Sequence, residues 1–236
     1  MVSARGLTKV YRMGRLEVRA LDGVDLAIEK GEFTAIIGRS GSGKSTLLNI
    51  LGALDRPTSG QVALDGVELS RLSDSQRARV RREKIGFVFQ QFNLIPVLTA
   101  LENVMLPLKY AGVSLEERRR RSVAVLETLG LSGRLDHRPV ELSGGEMQRV
   151  AVARAMVNSP SIVLADEPTG ELDSHTAHEI IDMMLELNRN KGQTFVIVSH
   201  DPAVAARARR VIRMEDGHIQ EDTGRASRQG TGIGER

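Results

Sequence analysis

The sequence predicts an α/β fold built around a phosphate loop and interrupted by a helical insertion, and three observations carry that prediction. First, a β-rich run, Glu32 to Ile37, leads into a glycine loop and then into Lys44 to Leu54, whose apolar residues Leu47, Leu48, Ile50 and Leu51 have helical spacing. Second, the apolar runs Ile162 to Ala165 and Thr194 to Val198 flank a helical segment, Thr176 to Asn190. Continuous rather than alternating apolar character marks buried parallel strands, so this is a βαβ unit. Third, from Thr99 to Asn158 strand signals give way to helical spacing, in Leu101 to Tyr110, Leu115 to Leu129 and Glu146 to Val157.

The remaining elements follow in order. Ala4 to Tyr11 and Val18 to Glu29 read as strands, with Gly14 in the turn between them. Pro57-Thr58-Ser59-Gly60 is a turn, Gln61 to Leu64 a strand, Asp65-Gly66 a second turn, and Ile85 to Phe89 a short strand. The polar, Gly- and Arg-rich stretch 224–236 reads as a disordered tail. At 236 residues and 41% hydrophobic, the chain can bury a sizeable core. The absence of Cys excludes a disulfide framework and a thiolate metal site. No apolar run approaches the ~18 residues that span a bilayer, and Met1 to Tyr11 lacks the apolar core of a secretory signal. The expectation is a soluble chain without a leader. Net charge is +3, with basic clusters at Arg77 to Lys84, Arg118 to Arg121 and Arg207 to Arg213. They admit two readings, a surface for nucleic acid or anionic lipid, or solvated helix faces. The interleaved Glu83, Glu116 and Glu117 favour the second, so no nucleic-acid partner is expected.

The chemistry is concentrated in the glycine loop. Gly38-Arg39-Ser40-Gly41-Ser42-Gly43-Lys44-Ser45, followed by Thr46, matches G-x-x-x-x-G-K-[ST] in full. Glycines let backbone N–H groups turn inward around phosphates, and the following helix aims its positive end at the same place. In such a loop Lys44 reaches the β- and γ-phosphates and Ser45 ligates magnesium. The apolar strand ending in Asp166-Glu167 supplies the acidic partner, at the strand end where open α/β sheets bind ligands. Asp166 is expected to hold Mg2+ through water, and Glu167 to act as general base on the attacking water. His200 follows the strand Thr194 to Val198; a single His there is more often a surface residue than a functional one. Asn190-Lys191-Gly192-Gln193 lacks the Asp of a guanine-reading element, which points to ATP rather than GTP.

Leu142-Ser143-Gly144-Gly145-Glu146-Met147-Gln148-Arg149 resembles the signature motif of ATP-binding cassette (ABC) ATPases, with Ser143 and two glycines before a helix N-terminus suited to an anion. The resemblance covers about Ala4 to Gln220. It implies that Ser143, Gly144, Gly145 and Glu146 meet the γ-phosphate held by a second subunit, in a head-to-tail homodimer sharing two ATP sites. It further implies that Tyr11 stacks on adenine and that Gln90 contacts magnesium and senses the γ-phosphate. Asp166 and Glu167 match the Walker B pair, Asp173 the D-loop across the dimer interface, and His200 the switch histidine, placed beside Glu167 and Lys44 in catalysis. The implied organisation is one ATPase domain over 1–236. It has a mixed-sheet core with an antiparallel β subdomain, from 1–90 and 158–223, and a helical subdomain at 91–157.

A narrower likeness joins Gly86-Phe87-Val88-Phe89-Gln90-Gln91-Phe92-Asn93-Leu94-Ile95-Pro96, Leu101-Glu102-Asn103-Val104, Leu106-Pro107-Leu108 and Asp166-Glu167-Pro168-Thr169-Gly170. Together these resemble the ATPases of lipoprotein-release and macrolide-export systems. That implies ATP hydrolysis driving a separate integral membrane permease, with this chain peripheral on the cytoplasmic face of the cell membrane. A non-transport ABC ATPase acting on nucleic acid or ribosomes is the rival; such proteins carry coiled-coil insertions or a second cassette, and this chain has neither. A binding module without turnover is disfavoured by the presence of Glu167 and His200. Two residues depart from common patterns: Glu171 puts a carboxylate in the D-loop, where small or amide residues are frequent, and Arg39 adds charge near the phosphates. Phe92, Leu94, Ile95, Val97, Leu98 and Leu101 are more apolar than a solvated loop needs. Some are expected to pack on the helical subdomain, and the remainder, with Pro96 fixing the chain direction and Leu98 exposed, to form a groove for a permease helix.

Overall fold

The computed structural model describes residues 1–14 and 16–224. Strands β1 (Val2–Met13) and β2 (Leu16–Ile28) form a long antiparallel hairpin, which β4 (Ser59–Leu64) and β5 (Val67–Glu68) extend into a four-stranded sheet of order β2-β1-β4-β5. The larger sheet contains β3 (Phe33–Ile37), β6 (Ile85–Phe89), β7 (Ile162–Asp166), β8 (Thr194–Ser199), β9 (Arg210–Glu215) and β10 (His218–Asp222). Its order is β10-β9-β3-β8-β7-β6, parallel throughout except for the antiparallel edge strand β10. The helices are α1 (Lys44–Leu51), α2 (Asp74–Lys84), α3 (Ala100–Tyr110), α4 (Leu115–Thr128), α5 (Gly144–Met156), α6 (Ser174–Lys191) and α7 (Pro202–Arg207).

The strand period of two divides the core. Phe33, Ala35, Val163, Ala165, Phe195 and Ile197 join α3 to α6 in one apolar cluster. Ile36, Ile162, Leu164, Val196 and Val198 join α1 and the antiparallel sheet in the other. Every residue of β8 is buried, as a parallel strand covered on both faces requires. The insertion is helical as predicted, and its helices start at side-chain caps. Thr99 accepts from Glu102 N before α3, Ser114 from Glu117 N before α4, and Ser143 from Glu146 N before α5. Helix α1 stops at Leu51 rather than Leu54. Gly52 lies against Phe87, where a Cβ would stand 2.5 Å from the ring, and Ala53 turns left-handed at φ 52°.

In two of the basic clusters some arginines leave the solvated face and turn inward, while Arg79 and Arg82 stay on it, paired with Glu83. Arg77 is 7% exposed, and its Nε and Nη2 donate to Ala53 O at 3.1 and 3.0 Å, joined by Arg81 Nη1 at 2.8 Å. The arginines of α2 thus satisfy a carbonyl that α1 leaves behind when it ends. Arg210 is 8% exposed and donates to both Asp222 oxygens, to Glu32 Oε2 and to Ala27 O, at 2.7–2.8 Å. The third cluster behaves as expected, with Arg120 and Arg121 paired to Glu117 on an open face of α4. Among the described residues no helix is long and apolar enough to cross a membrane. The tail expected over 224–236 lies, beyond Gly224, outside the described residues.

Arg210 ties the end of β2, the start of β3 and the edge hairpin together, and its removal leaves buried carboxylates without a counter-charge. Arg210→Met is expected to cost about 3–5 kcal/mol, the range for breaking a buried pair from one side. Urea unfolding checks this, and a loss below about 1 kcal/mol would mean the carboxylates find water instead.

Candidate active site

Four parallel strands end at one edge of the large sheet, and the next residue of each enters the site. Ile37, Ser199, Asp166 and Phe89 lie at the ends of β3, β8, β7 and β6, in register or within one residue of it. Gly38, His200, Glu167 and Gln90 follow them. The loop from Gly38 is tightly enclosed. A Cβ on Gly38 would stand 2.2 Å from Met214 O, and one on Gly43 2.3 Å from Ala20 O. Gly43 has φ 98° and caps α1 in a left-handed conformation that only glycine adopts without strain.

Lys44 is 7% exposed, and its Nζ donates to Gly38 O and Arg39 O at 2.8 Å, with Ser42 Oγ at 3.5 Å. The ammonium is thus held under the loop. Ser45 Oγ, in the first turn of α1, donates to Asp166 Oδ1 at the end of β7, at 3.1 Å. Burial raises the Asp166 pKa; the Ser45 hydrogen bond opposes this, and the neighbouring Glu167 charge adds to it. Glu167 has φ 47°, a strained conformation for this residue, pinned by its N–H to Val198 O at 2.9 Å. Its Oε1 lies 2.9 Å from His200 Nδ1, and Ser199 Oγ and His200 N stand 3.4 Å from Oε2. A carboxylate only accepts, so His200 carries its proton on Nδ1.

A cleft of about 750 Å³ opens here, lined by Tyr11, Ser40, Gly41, Gly43, Lys44, Ser45, Thr46, Gln90, Glu167 and His200. Val18, Arg19 and Ala20 of β2 line it too; no local pattern marks them, because they enter only through the placement of β2 over the loop. Tyr11 Oη donates to Asp55 Oδ2 at 2.9 Å, and Lys9 Nζ stands 4.8 Å from the ring centroid. Burial and Asp55 raise the phenol pKa, so the hydroxyl stays protonated. Gln90 Nε2 donates to Glu171 Oε1 at 3.3 Å. Gly38, Arg39, Ser42 and Asp166 support the cleft from beneath or beside it rather than lining it.

Ser143, Gly144, Gly145 and Glu146 lie outside this cleft, at the start of α5, with Ser143 exposed and the other three half-buried. Ser143 and Glu146 cap each other at 2.8 and 3.2 Å. Arg134 donates to Glu146 at 2.7 Å and, with the cap, holds its pKa below the usual range. A Cβ on Gly145 would meet Thr176 Cγ2 at 2.6 Å, so the loop packs on the start of α6. Asp173 caps α6, accepting from His175 N and Thr176 N at 3.0 Å. A second cavity, about 710 Å³, opens beside α4 and the far ends of the strands, and no phosphate-loop residue lines it.

A phosphate loop facing an acidic strand end, with a carboxylate and histidine beside it, defines a P-loop ATPase. The ABC transporter family model matches residues 21–170. The chain is 51% identical over 226 residues to an uncharacterized ABC transporter ATP-binding protein, MJ0796, of Methanocaldococcus jannaschii, covering 94% of this chain and 96% of that one. It is 49% identical over 219 residues to the lipoprotein-releasing system ATP-binding protein LolD of Legionella pneumophila, covering 93% and 96%. It is 50% identical over 226 residues to the macrolide export ATP-binding/permease protein MacB of Syntrophobacter fumaroxidans, covering 95% of this chain and 32% of that one. The chain therefore spans about a third of the length of that macrolide export relative. A dimeric post-hydrolysis structure of the cassette MJ0796 bound to ADP and Pi matches with a TM-score of 0.86 at 49% identity, over 94% of this chain and 97% of that chain. The chain belongs to the ABC transporter family, and it is an ATP-binding, ATP-hydrolysing cassette of the transporter type.

The raised pKa of Asp166 has a consequence for stability. The folded state holds that proton more tightly than the unfolded state, so stability is lost as pH rises through the folded pKa. Asp166→Asn removes this penalty and is expected to raise the melting temperature of the ligand-free protein at about pH 8. The gain should shrink as pH falls toward about 4, the ordinary Asp range. Thermal melts across pH check it; a lower Tm for the variant at high pH would overturn it.

Proposed function

We propose that two copies of this chain close head-to-tail around two Mg-ATP and drive a separate membrane permease, of the lipoprotein-release or macrolide-export type, from the cytoplasmic face of the membrane. The observation that carries this is the separation of two anion-binding helix starts. Lys44 and the loop line the cleft, whereas Ser143 presents an exposed helix N-terminus outside it. One chain has both halves of a composite site but does not bring them together, and a second copy would complete it. The likeness to a dimeric cassette and to an ATP-binding protein of a lipoprotein-releasing system supports the same reading. The neutralised or buried basic clusters offer little to a nucleic acid.

Ser45 Oγ and Asp166 Oδ1, at 3.1 Å, are hard oxygen donors suited to magnesium. Among the described residues no group of three or more His, Asp or Glu could hold a metal, so phosphate oxygens and water would complete the shell. Bound there, Mg2+ would neutralise charge on the phosphates. Lys44 takes the same charge from the loop side. Glu167 accepts the proton of the attacking water, and His200, through Nδ1–H, orients that carboxylate. Tyr11 offers its ring to adenine at the far end of the cleft. Asp173, which caps α6, is the residue assigned in this reading to the crossing between the two chains.

Glu167→Gln keeps the shape and removes the base. Turnover is expected to fall about 10²–10⁴-fold while ATP binding persists and an ATP-bound dimer accumulates; near-normal turnover would sink the assignment. For the composite site, a Lys44→Ala chain mixed with a Ser143→Arg chain should regain hydrolysis that neither shows alone, through the one intact site of the heterodimer. If crosslinking places Ser143 beside the phosphates of its own chain, the head-to-tail reading fails. For the permease, Leu98 is only partly exposed, whereas Val97 is 74% and Ile95 40% exposed. Val97→Glu is expected to spare basal hydrolysis and abolish co-sedimentation with permease-containing membranes. Normal binding would place the docking surface elsewhere.

A further inference from the structure

Glu171 has no part in the reading above, yet it touches Gln90, a cleft residue whose chemistry depends on which way round it lies. A primary amide has a donor end and an acceptor end of nearly equal shape, so Gln90 at the end of β6 could present either to the cleft. An ionised carboxylate accepts and never donates. Glu171 Oε1, at 3.3 Å, therefore selects Nε2. This leaves Oε1 of Gln90, the only end able to ligate a hard cation, as the free end of a side chain that lines the cleft.

The backbone is shaped for this contact. A Cβ on Gly170 would stand 2.9 Å from Gln90 Nε2, 3.0 Å from Cδ and 3.1 Å from Cγ, so the amide lies directly across the glycine. Gly170 N–H donates to Glu167 O at 3.1 Å, closing the turn that begins at left-handed Glu167. One short turn thus sets the Glu167 carboxylate on one side and delivers Glu171 to Gln90 on the other. Glu171 is otherwise exposed and makes no ion pair among the described residues, which leaves its carboxylate available to the amide.

We propose that Glu171 is a positioning residue that fixes the orientation of the Gln90 amide, directing its carbonyl oxygen to the divalent cation and phosphate side of the cleft. This rests on the reading of Gln90 as a cation ligand. A glutamine at 171 would have the same size but could accept from or donate to Gln90, so orientation would be lost without loss of volume. An aspartate would keep the acceptor-only chemistry on a shorter reach.

The test has two readouts besides turnover. In the ligand-free protein, the side-chain NH2 resonances of Gln90, identified by their absence in Gln90→Ala, are expected to shift in Glu171→Ala and Glu171→Gln. Calorimetry with the ATP analogue AMP-PNP then compares affinity in Mg2+ with affinity in EDTA. Glu171→Gln and Glu171→Ala are expected to reduce the tightening by Mg2+ about three- to tenfold, the scale of one hydrogen bond, while affinity in EDTA and the Tm stay unchanged. Glu171→Asp should recover part of it. Glu171→Ala should add nothing once Gln90 is alanine. If Gln90→Ala weakens the Mg2+ effect but no Glu171 variant does, the positioning proposal is overturned and the Gln90 reading stands. If Gln90→Ala leaves the Mg2+ effect intact, the cation reading of Gln90 fails and the proposal falls with it.

Discussion

Parallel pairing of β3, β8, β7 and β6 is the constraint on which the site depends. Backbone hydrogen bonds hold these strands so that they end together, with Ile37 opposite Ser199, Asp166 opposite Val198 and Phe89 opposite Asp166. A register slip of one residue would turn each strand's side chains to the opposite face and move its following residue out of line. The phosphate loop, the Glu167 carboxylate, His200 and Gln90 come from segments far apart in sequence, yet each needs only to be the residue after its strand. The apolar clusters on both faces of the sheet fix that register, because shifting β8 would drag six buried residues out of their contacts. Core packing and site geometry are in this sense one requirement.

The elements legible in the sequence were those with one dominant signal. Continuous apolar runs marked β7 and β8, and helical apolar spacing marked α3 and α5. The edge hairpin was hidden for the opposite reason. β9 alternates Arg210, Ile212 and Met214 inward, but an arginine at an inward position disguises the period and reads as part of a basic cluster. Only the carboxylates of Glu32 and Asp222 make that arginine a core residue, and both pairings are long-range or turn-dependent. Arg77 was opaque likewise, because its partner is a carbonyl exposed by the early end of α1. Glu171 could be seen to depart from a pattern, but its partner lies 81 residues away and no local signal connects them.

The same distinction separates the two histidine readings. By itself, His200 after a strand is ambiguous. What gives it a role is the carboxylate 2.9 Å from Nδ1, brought there by adjacent parallel strands. The Glu167 backbone adds a second element of preorganisation. A left-handed glutamate persists only where the surroundings over-determine it, and here Val198 O and Gly170 N–H hold it from both sides. This strained residue is the one whose carboxylate points out of the sheet edge toward the cleft.

Helix α5 extends these constraints across the molecule. Its thirteen residues span about 20 Å at the standard rise. At one end Ser143 caps the loop that packs on α6; in the middle Gln148 Nε2 donates to Pro168 O at 2.6 Å, in the turn after Glu167. Near the other end Arg154 donates to Phe92 O and Asn93 O at 2.8 and 2.5 Å. Those two carbonyls belong to consecutive left-handed residues just after Gln90, with φ 49° and 50°. Burial lowers the Arg154 pKa, and among the described residues its guanidinium pairs with no carboxylate, so these carbonyls are its main compensation. Breaking them would strand a buried charge. A displacement of the segment after Gln90 therefore either carries α5 with it or leaves Arg154 unsatisfied, and the first is the less costly. One helix thereby connects the segment just after Gln90 to the capped loop at Ser143 that packs on α6.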